Sequence, residues 1–325
     1  MNEHPIEYND DLLADLPAPE ELPPGHKSGF VAVIGRPNVG KSTLMNAILG
    51  EKLAIVSPKP QTTRLRQLGI YTREDVQIIF VDTPGIHNPR TPLGRFMVTV
   101  ALDALKDADV VLFMCDLSEK VSPEDRQIAD LVRQAQDETP SLLVLNKVDL
   151  VPNPEALRLR VEAFRELVPE AEWLTTVAAT GEGVPKVLQE IIDRLPEGPR
   201  YYPADQLSDT AVRDIVAEIV REKVLLNLEQ EVPHGVATVV EEFKQRSDDM
   251  TYINATIYVE RESHKGIVIG KKGQMLKTIS QQARTEIEAF LGTKVYLELW
   301  VKVLKNWRRD ERTLRRLGYK INRDL

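Results

Sequence analysis

The sequence predicts a doubly wound α/β domain followed by a smaller α+β domain. Three observations predict it. Short apolar runs alternate with stretches long enough for crossover helices through the first part of the chain. A segment rich in Pro and Gly near Leu195 then breaks the pattern. Beyond it the texture changes to a helix, two strands, two helices and a strand, and the charge turns basic.

The apolar runs are Phe30–Ile34, Val76–Val81, Val110–Cys115, Leu142–Leu145 and Trp173–Val177. Runs of four to six such residues, buried on both faces, read as parallel strands. Arg64–Tyr71 adds a further strand at an edge. Pro196-Glu197-Gly198-Pro199 and Pro203 stop any helix, so residues 197–209 read as a linker between an α/β domain over 28–196 and a second domain over 210–325. In the second domain Ala211–Leu228 has helical periodicity. Gly235–Phe243 and Tyr252–Val259 read as strands joined by a polar turn at Gln245–Asp249. A helical region broken at Gly270–Gly273, a strand at Lys294–Leu304 and a basic helix complete the chain. Residues 1–27 hold seven Asp/Glu, one Lys and five Pro, a composition that cannot offset its ordering entropy, and read as a flexible acidic tail.

Composition narrows the function classes. The 325 residues carry a net charge of −8, yet residues 261–325 hold 16 Lys/Arg against 7 Asp/Glu, a local balance of +9. A basic end on an acidic chain fits an anionic partner such as nucleic acid. No apolar run approaches the roughly 20 residues of a membrane span, and no secretory signal opens the chain. Cys115 is the only cysteine, so no intramolecular disulfide forms. It sits in an apolar run and reads as core. These features point to a cytoplasmic protein.

Three motifs stand at the carboxyl ends of strands, where open α/β sheets bind ligands. Gly35-Arg36-Pro37-Asn38-Val39-Gly40-Lys41-Ser42, followed by Thr43, fits the phosphate-loop pattern between a strand and a helix. Its backbone N–H groups and the helix N-terminus attract phosphate. Lys41 reaches the β- and γ-phosphates and the Ser42 hydroxyl takes Mg²⁺. Asp82-Thr83-Pro84-Gly85 closes the next strand, with Asp82 beside the metal and the Gly85 N–H toward the γ-phosphate. Asn146-Lys147-Val148-Asp149 closes a fourth strand. The Asp149 carboxylate accepts from the N1–H and N2–H₂ groups of guanine, which adenine lacks in that arrangement, and the Lys147 stem lies along the base. This selects GTP and GDP over adenine nucleotides.

In order and spacing these motifs resemble the translation-factor-like GTPases. Gln61-Thr62-Thr63-Arg64 resembles the first switch segment of the Era family. The resemblance implies that Thr63, or else Thr62, closes over Mg²⁺ when the γ-phosphate is present, so that Lys41, Thr63 and Gly85 carry the chemistry. Two departures stand out. The fifth GTPase motif usually reads Ser-Ala, whereas Ala178-Ala179-Thr180-Gly181 lacks the serine hydroxyl. A Ras-like Gln that positions water is replaced by Ile86, whose side chain cannot orient water. Slow intrinsic hydrolysis, dependent on a partner or an ion, follows. Asn38 resembles the K⁺ ligand of related GTPases. His87 reads as a loop residue.

Val268-Ile269-Gly270-Lys271-Lys272-Gly273-Gln274 forms a helix, a Gly-x-x-Gly break and a second helix. KH domains use such a loop to clamp single-stranded nucleotides, and the element order resembles the type II KH fold. Lys271, Lys272 and Lys277 bring charge, while Ile267, Val268 and Ile269 offer an apolar groove for bases. The segment from Lys305 through Trp307 to Tyr319 also resembles the Era terminus. Arg308, Arg309, Arg312, Arg315 and Arg316 offer phosphate contacts. Trp307 reads equally as a base-stacking or a core residue.

The fold expected is therefore a doubly wound P-loop GTPase domain followed by an α+β type II KH domain. The resemblance covers residues 29–320. It implies a monomeric GTPase that binds small-subunit ribosomal RNA near its 3′ end and assists 30S subunit assembly, with peripheral association at the inner face of the cell membrane. Two rivals remain at this point. One is a pure binding module with GTP as a structural ligand. The other is a signalling GTPase directed at a protein or membrane, with an incidental basic tail.

Overall fold

The structure is a computed structural model that describes residues 22–319 apart from 58, 60, 61, 87, 88, 90, 136–138, 230 and 248. Most of the acidic tail, Gln61 and His87 therefore lie outside the described residues. Six strands form the first sheet: β1 Lys27–Ile34, β2 Gln67–Arg73, β3 Val76–Asp82, β4 Val110–Asp116, β5 Ser141–Asn146 and β6 Glu172–Thr176. Their spatial order is β2-β3-β1-β4-β5-β6. All neighbours run parallel except β2, which pairs antiparallel with β3. Helices α1 Lys41–Leu49, α2 Pro92–Lys106, α3 Pro123–Ala135, α4 Pro154–Arg165 and α5 Val184–Arg194 cover the two faces. Strands β3, β4 and β5 are buried at every residue, as parallel strands covered on both faces must be.

The second domain begins with α6 Val212–Asn227 and continues through β7 Ala237–Ser247, β8 Met250–Val259, α7 Glu262–Ile269, α8 Gln274–Leu291, β9 Lys294–Val303 and the short α9 Glu311–Arg316. Its sheet has the order β7-β8-β9, antiparallel then parallel. Helices α6 and α8 pack on one face around Val220, Val224, Ile279 and Ile287. Among the described residues no helix is long and apolar enough to cross a membrane.

The structure corrects or extends the sequence reading of the fold at four places. Lys27, assigned to the tail, opens β1 opposite Val76, and His26 Nδ1 lies 2.7 Å from the Gly198 carbonyl. The edge strand starts at Gln67 rather than Arg64, because the Arg64 side chain leaves the sheet for the second domain. The linker, which the sequence places between the domains, is docked along the sheet. Ile70 N donates to Leu207 O at 2.8 Å, Ser208 Oγ donates to Leu68 O at 2.6 Å, and Gln77 Oε1 accepts from Tyr201 N and Tyr202 N at 2.7 and 2.9 Å. Finally, Trp307 is 0% exposed and its Nε1 donates to Gly235 O at 2.9 Å, so of its two readings the core one holds and base stacking is corrected.

Candidate functional site

The phosphate loop turns from β1 into α1, and its glycines are required by what lies opposite. A Cβ on Gly85 would stand 2.4 Å from Pro37 N, so the Asp-Thr-Pro-Gly loop meets the phosphate loop backbone to backbone only because residue 85 has no side chain. Lys41 is buried, with Nζ donating to Arg36 O at 2.9 Å and Gly35 O at 3.3 Å. Burial lowers its pKa to about 8, opposed by the Asp82 carboxylate. A buried ammonium held only by carbonyls and a distant carboxylate is a cation waiting for an anion.

Three oxygens converge beside it. Ser42 Oγ donates to Asp82 Oδ2 at 2.6 Å and lies 3.0 Å from Thr63 Oγ1, which itself donates to Asp82 Oδ2 at 3.3 Å. Asp82 Oδ1 is buried without a hydrogen-bond partner. Burial pushes the Asp82 carboxyl above the usual range, against the pull of Lys41, Ser42 and Thr63. Two hydroxyls and a buried carboxylate with an orphan oxygen form a hard, oxygen-only donor set of the kind Mg²⁺ takes. Among the described residues no group of three His, Cys, Asp or Glu gathers anywhere as a metal site. Thr62, the alternative to Thr63, also lines the cleft, but its hydroxyl donates to Lys59 O at 2.6 Å and not toward Ser42 and Asp82.

At the other end of the cleft Asn146 ties three loops together. Its Nδ2 donates to Val39 O at 2.8 Å, and its Oδ1 accepts from Ala178 N at 2.9 Å and Thr176 Oγ1 at 3.1 Å. The fifth motif is thus anchored through a backbone N–H, which Ala178 supplies as well as serine does. Lys147, in the left-handed region at φ 61°, donates Nζ to Asn38 O at 2.8 Å and pairs with Asp116 at 2.6 Å. Sequence reasoning missed Asp116, one residue past the apolar run of β4; its strand-end position was the available signal.

Pro37, Asn38, Gly40, Lys41, Ser42, Thr43, Thr63, Gly85, Asn146, Lys147, Asp149, Ala178 and Ala179 line one cleft of about 410 Å³. Gly35, Val39, Asp82, Thr83, Pro84 and Ile86 stand behind that lining. Thr83 Oγ1 donates to Val33 O at 2.8 Å, and Ile86 packs into the core between the sheet and α2 and α3 while its N–H donates to Gly35 O at 3.1 Å. The Arg36 side chain points away, to Asp125 at 2.8 Å and Glu119 at 3.0 Å, so only its backbone faces the loop.

In the second domain the Gly-x-x-Gly loop joins α7 to α8. Lys271, Lys272 and Lys277 are exposed, and Lys272 adopts φ 52°. Ile267 is exposed and Ile269 half-buried, but Val268, read as a groove residue, lies in the core against α8. Arg309 and Arg312 are exposed, whereas Arg308 pairs with Glu260.

The two domains meet through the segment that carries Thr63. Arg64 is buried, donating to Val236 O at 2.6 Å and His234 O at 3.0 Å with its guanidinium 5.6 Å from the Trp307 ring centroid. Arg221 of α6 donates to Thr62 O. Glu222 accepts from Val56 N and from Lys52 Nζ, both at 2.8 Å, and Lys52 also reaches Glu286 of α8 at 2.8 Å. Beside this, Leu93, Phe96 and Met97 of α2 pack with Trp307, Leu314 and Tyr319. Sequence reasoning named none of the α6 charges, because a helix with alternating Arg, Glu and Lys reads as solvated.

Comparison with known proteins bears on this whole arrangement. A family described as 50S ribosome-binding GTPase matches residues 30–147, and one described as KH domain matches residues 231–308. GTPase Era of Caldanaerobacter subterraneus subsp. tengcongensis is 52% identical over 299 residues, covering 92% of this chain and 99% of that protein. GTPase Era of Staphylococcus haemolyticus is 46% identical over 299 residues, covering 92% and 99%. Among solved structures, Era in complex with MgGDPNP and nucleotides 1506–1542 of 16S ribosomal RNA matches with a TM-score of 0.86 and 41% identity, over 91% of this chain and 99% of that one. A variant of Aquifex aeolicus Era bound to GDP·AlF4⁻ matches with a TM-score of 0.86 and 41% identity, over 91% and 100%. Likeness of this extent takes in the nucleotide cleft, the docked linker and the buried C-terminal segment alike, and the chain belongs to the Era family of GTPases.

Proposed function

We propose that this GTPase binds small-subunit ribosomal RNA near its 3′ end and assists maturation of the 30S subunit, with nucleotide state and RNA binding coupled through one segment. The observation that carries the coupling is that Thr63 stands beside Ser42 and Asp82 while Lys52, Val56, Thr62 and Arg64 are held by α6, α8 and the Trp307 pocket. The Era complex with a 16S ribosomal RNA fragment supports the choice of RNA.

In this reading the phosphate-loop N–H groups and Lys41 hold the β- and γ-phosphates, and Asp149 selects guanine. Ser42, Thr63 and Asp82 would hold Mg²⁺, which neutralises charge on the phosphate oxygens. Water attacks the γ-phosphorus in line, giving GDP and phosphate. Loss of the γ-phosphate removes one reason for Thr63 to stay near Ser42, and the neighbouring Arg64 and Thr62 transmit that change to α6. The chain acts as a monomer in the cytoplasm, and the exposed arginines of α9 add a peripheral contact with anionic lipid.

Ile86 is buried and offers no group to orient water. Asn38, at φ 65° on the cleft wall, is our candidate K⁺ ligand. Turnover is therefore expected to be at least several-fold faster in K⁺ than in Na⁺ buffer, and equal rates in a phosphate-release assay would remove Asn38 from that role.

The test of function is GTP turnover in K⁺ buffer with and without an RNA carrying the small-subunit 3′ end. RNA-dependent turnover is expected, and turnover indifferent to RNA despite tight binding would leave two uncoupled modules. The companion variant needs care. A Cβ on Gly270 would lie 2.6 Å from Met275 Cβ, at φ +73°, so substitution there disturbs the fold itself. Lys271 and Lys272 are exposed and carry no ion pair among the described residues. Lys271→Glu with Lys272→Glu is expected to weaken RNA binding across sequences and to lower the salt slope by about 2, roughly 1 per lost phosphate contact. An unchanged slope in filter-binding titrations would clear the loop of phosphate contact.

A further inference from the structure

The sheet of the second domain has two faces of opposite character. Ile253, Ala255, Ile257 and Val259 of β8 point into the core, together with Val295 and Val301 of β9. By the alternation of a strand, Tyr252 of β8 and Tyr296, Glu298, Trp300 and Lys302 of β9 share the opposite face. Helices α6 and α8 lie against the other face, and α9 with Trp307 packs on this one only at its Tyr258 end. Tyr296 is 60% exposed and Trp300 52% exposed, so two large aromatic rings stand in water on this one face. Tyr252 and Tyr296 stack at 5.9 Å with planes 22° apart, and the Arg246 guanidinium lies 4.4 Å from the Tyr252 ring centroid.

We propose that this open face is a second RNA-binding surface, on which Trp300 and the Tyr252–Tyr296 pair stack the bases of a single strand that also engages the Gly270–Gly273 loop. The proposal rests on the reading of this chain as an RNA-binding protein.

Charge selects the occupant. Three acids on or beside the face are engaged within it, two by tyrosine hydroxyls and one by a lysine. Glu298 accepts from Tyr252 Oη at 2.7 Å, Glu241 accepts from Tyr258 Oη at 3.1 Å, and Glu242 pairs with Lys244. Lys294, Lys302 and Arg246 have no ion-pair partner among the described residues, nor have Arg315 and Arg316 of α9. Arg316 lies near enough to Tyr258, at the far end of the same face, to act on its hydroxyl. The result is separate aromatic platforms with cations around them, not a continuous apolar patch. That combination suits a polyanion with π-faced bases: stacking tolerates any base, and the cations track the backbone. Tyr296 and Trp300, four residues apart on one strand, stand about 13 Å from each other and give two stacking positions. Continuity favours one strand across both surfaces, since α7, which leads into the Gly270–Gly273 loop, packs on the core side of β9, and β9 is the edge strand around which a chain passes to the open face.

The test compares two pyrimidine-rich RNA probes on the full chain. One is about four nucleotides long, the footprint of a KH loop, and one about twelve, within the range that stacking grooves hold. The twelve-nucleotide probe is expected to bind the unaltered protein more tightly. Trp300→Ala combined with Tyr296→Ala is expected to weaken it about tenfold while leaving the short probe unchanged. Trp300→Phe, which keeps a ring, is expected to retain most of the affinity. Both residues are exposed, so the melting temperature should not move, and a check of it separates folding from binding. Equal affinity of the double variant and the unaltered protein for the long probe would overturn the proposal. So would loss of 30S-subunit co-sedimentation with both RNA affinities intact, which would assign the face to a protein. If the unaltered chain binds neither probe, the RNA reading itself fails, a result distinct from failure of the sheet surface alone.

Discussion

Asp149→Asn is expected to lower GTP affinity about 10³-fold and to admit xanthosine triphosphate in its place. The carboxylate is proposed to accept two hydrogen bonds, from the N1–H and N2–H₂ of guanine. Hydrogen bonds to a charged group contribute roughly 1.5–3 kcal/mol each, and each 1.4 kcal/mol is about tenfold in affinity. An amide oxygen still accepts one bond, but the amide nitrogen then faces the exocyclic amine, donor against donor. Xanthine carries a carbonyl where guanine carries that amine, so the same amide nitrogen finds an acceptor. Asp149 is exposed in the turn after β5 and has no ion pair among the described residues. The substitution should therefore leave stability within about 0.5 kcal/mol, as exposed changes do. Titration of fluorescent guanine and xanthine nucleotides decides it. A variant that keeps GTP affinity would show that base selection resides in backbone contacts around Ala178.

Much of this site was legible because its chemistry is local. The phosphate loop, Asp82–Gly85 and Asn146–Asp149 are contiguous stretches, each at the end of an apolar run, and burial on both faces of a parallel sheet makes such runs conspicuous. The five parallel strands appear within a few residues of their expected limits for the same reason. The antiparallel edge was less legible. Its expected start, Arg64, belongs to an apolar-looking stretch, yet its charge is satisfied by two carbonyls of another domain.

The junction between domains was not legible at all. Arg221 and Glu222 are 1% exposed on a helix whose sequence reads as half solvated. Interfaces between domains are more polar than cores, so the residues that build them resemble surface residues in a sequence. Periodicity reports which face of α6 meets its own sheet; it carries no mark of a second partner on the other side. Trp307 illustrates the converse. A lone tryptophan in a basic segment fits either a stacking or a core role, and only the Gly235 carbonyl beneath its Nε1 decides.

That junction sets the other large expectation. Arg64→Ala should leave GTP affinity nearly unchanged, because the guanidinium points out of the nucleotide cleft, and should abolish the dependence of RNA affinity on nucleotide state. Truncation orphans the carbonyls of Val236 and His234, at roughly 1–3 kcal/mol each, and removes a buried cation from the Trp307 face, worth about 2 kcal/mol when desolvated. A loss of that order moves the docking equilibrium of the domains by 10²-fold or more. Burial holds the Arg64 guanidinium below its ordinary pKa, opposed by Tyr319 and Glu218. With Arg64 gone, movement of Thr63 no longer pulls on β7 and the Trp307 pocket. RNA titrations with GDP and with a non-hydrolysable GTP analogue should then give affinities within about twofold, against a clear separation for the unaltered chain. Arg64→Lys supplies one donor for two carbonyls and should restore only part of that separation. If Arg64→Ala keeps the full separation, the coupling runs instead through α2, where Phe96 meets Tyr319 edge to face at 5.8 Å, and a Phe96→Ala variant should then be the one that loses it.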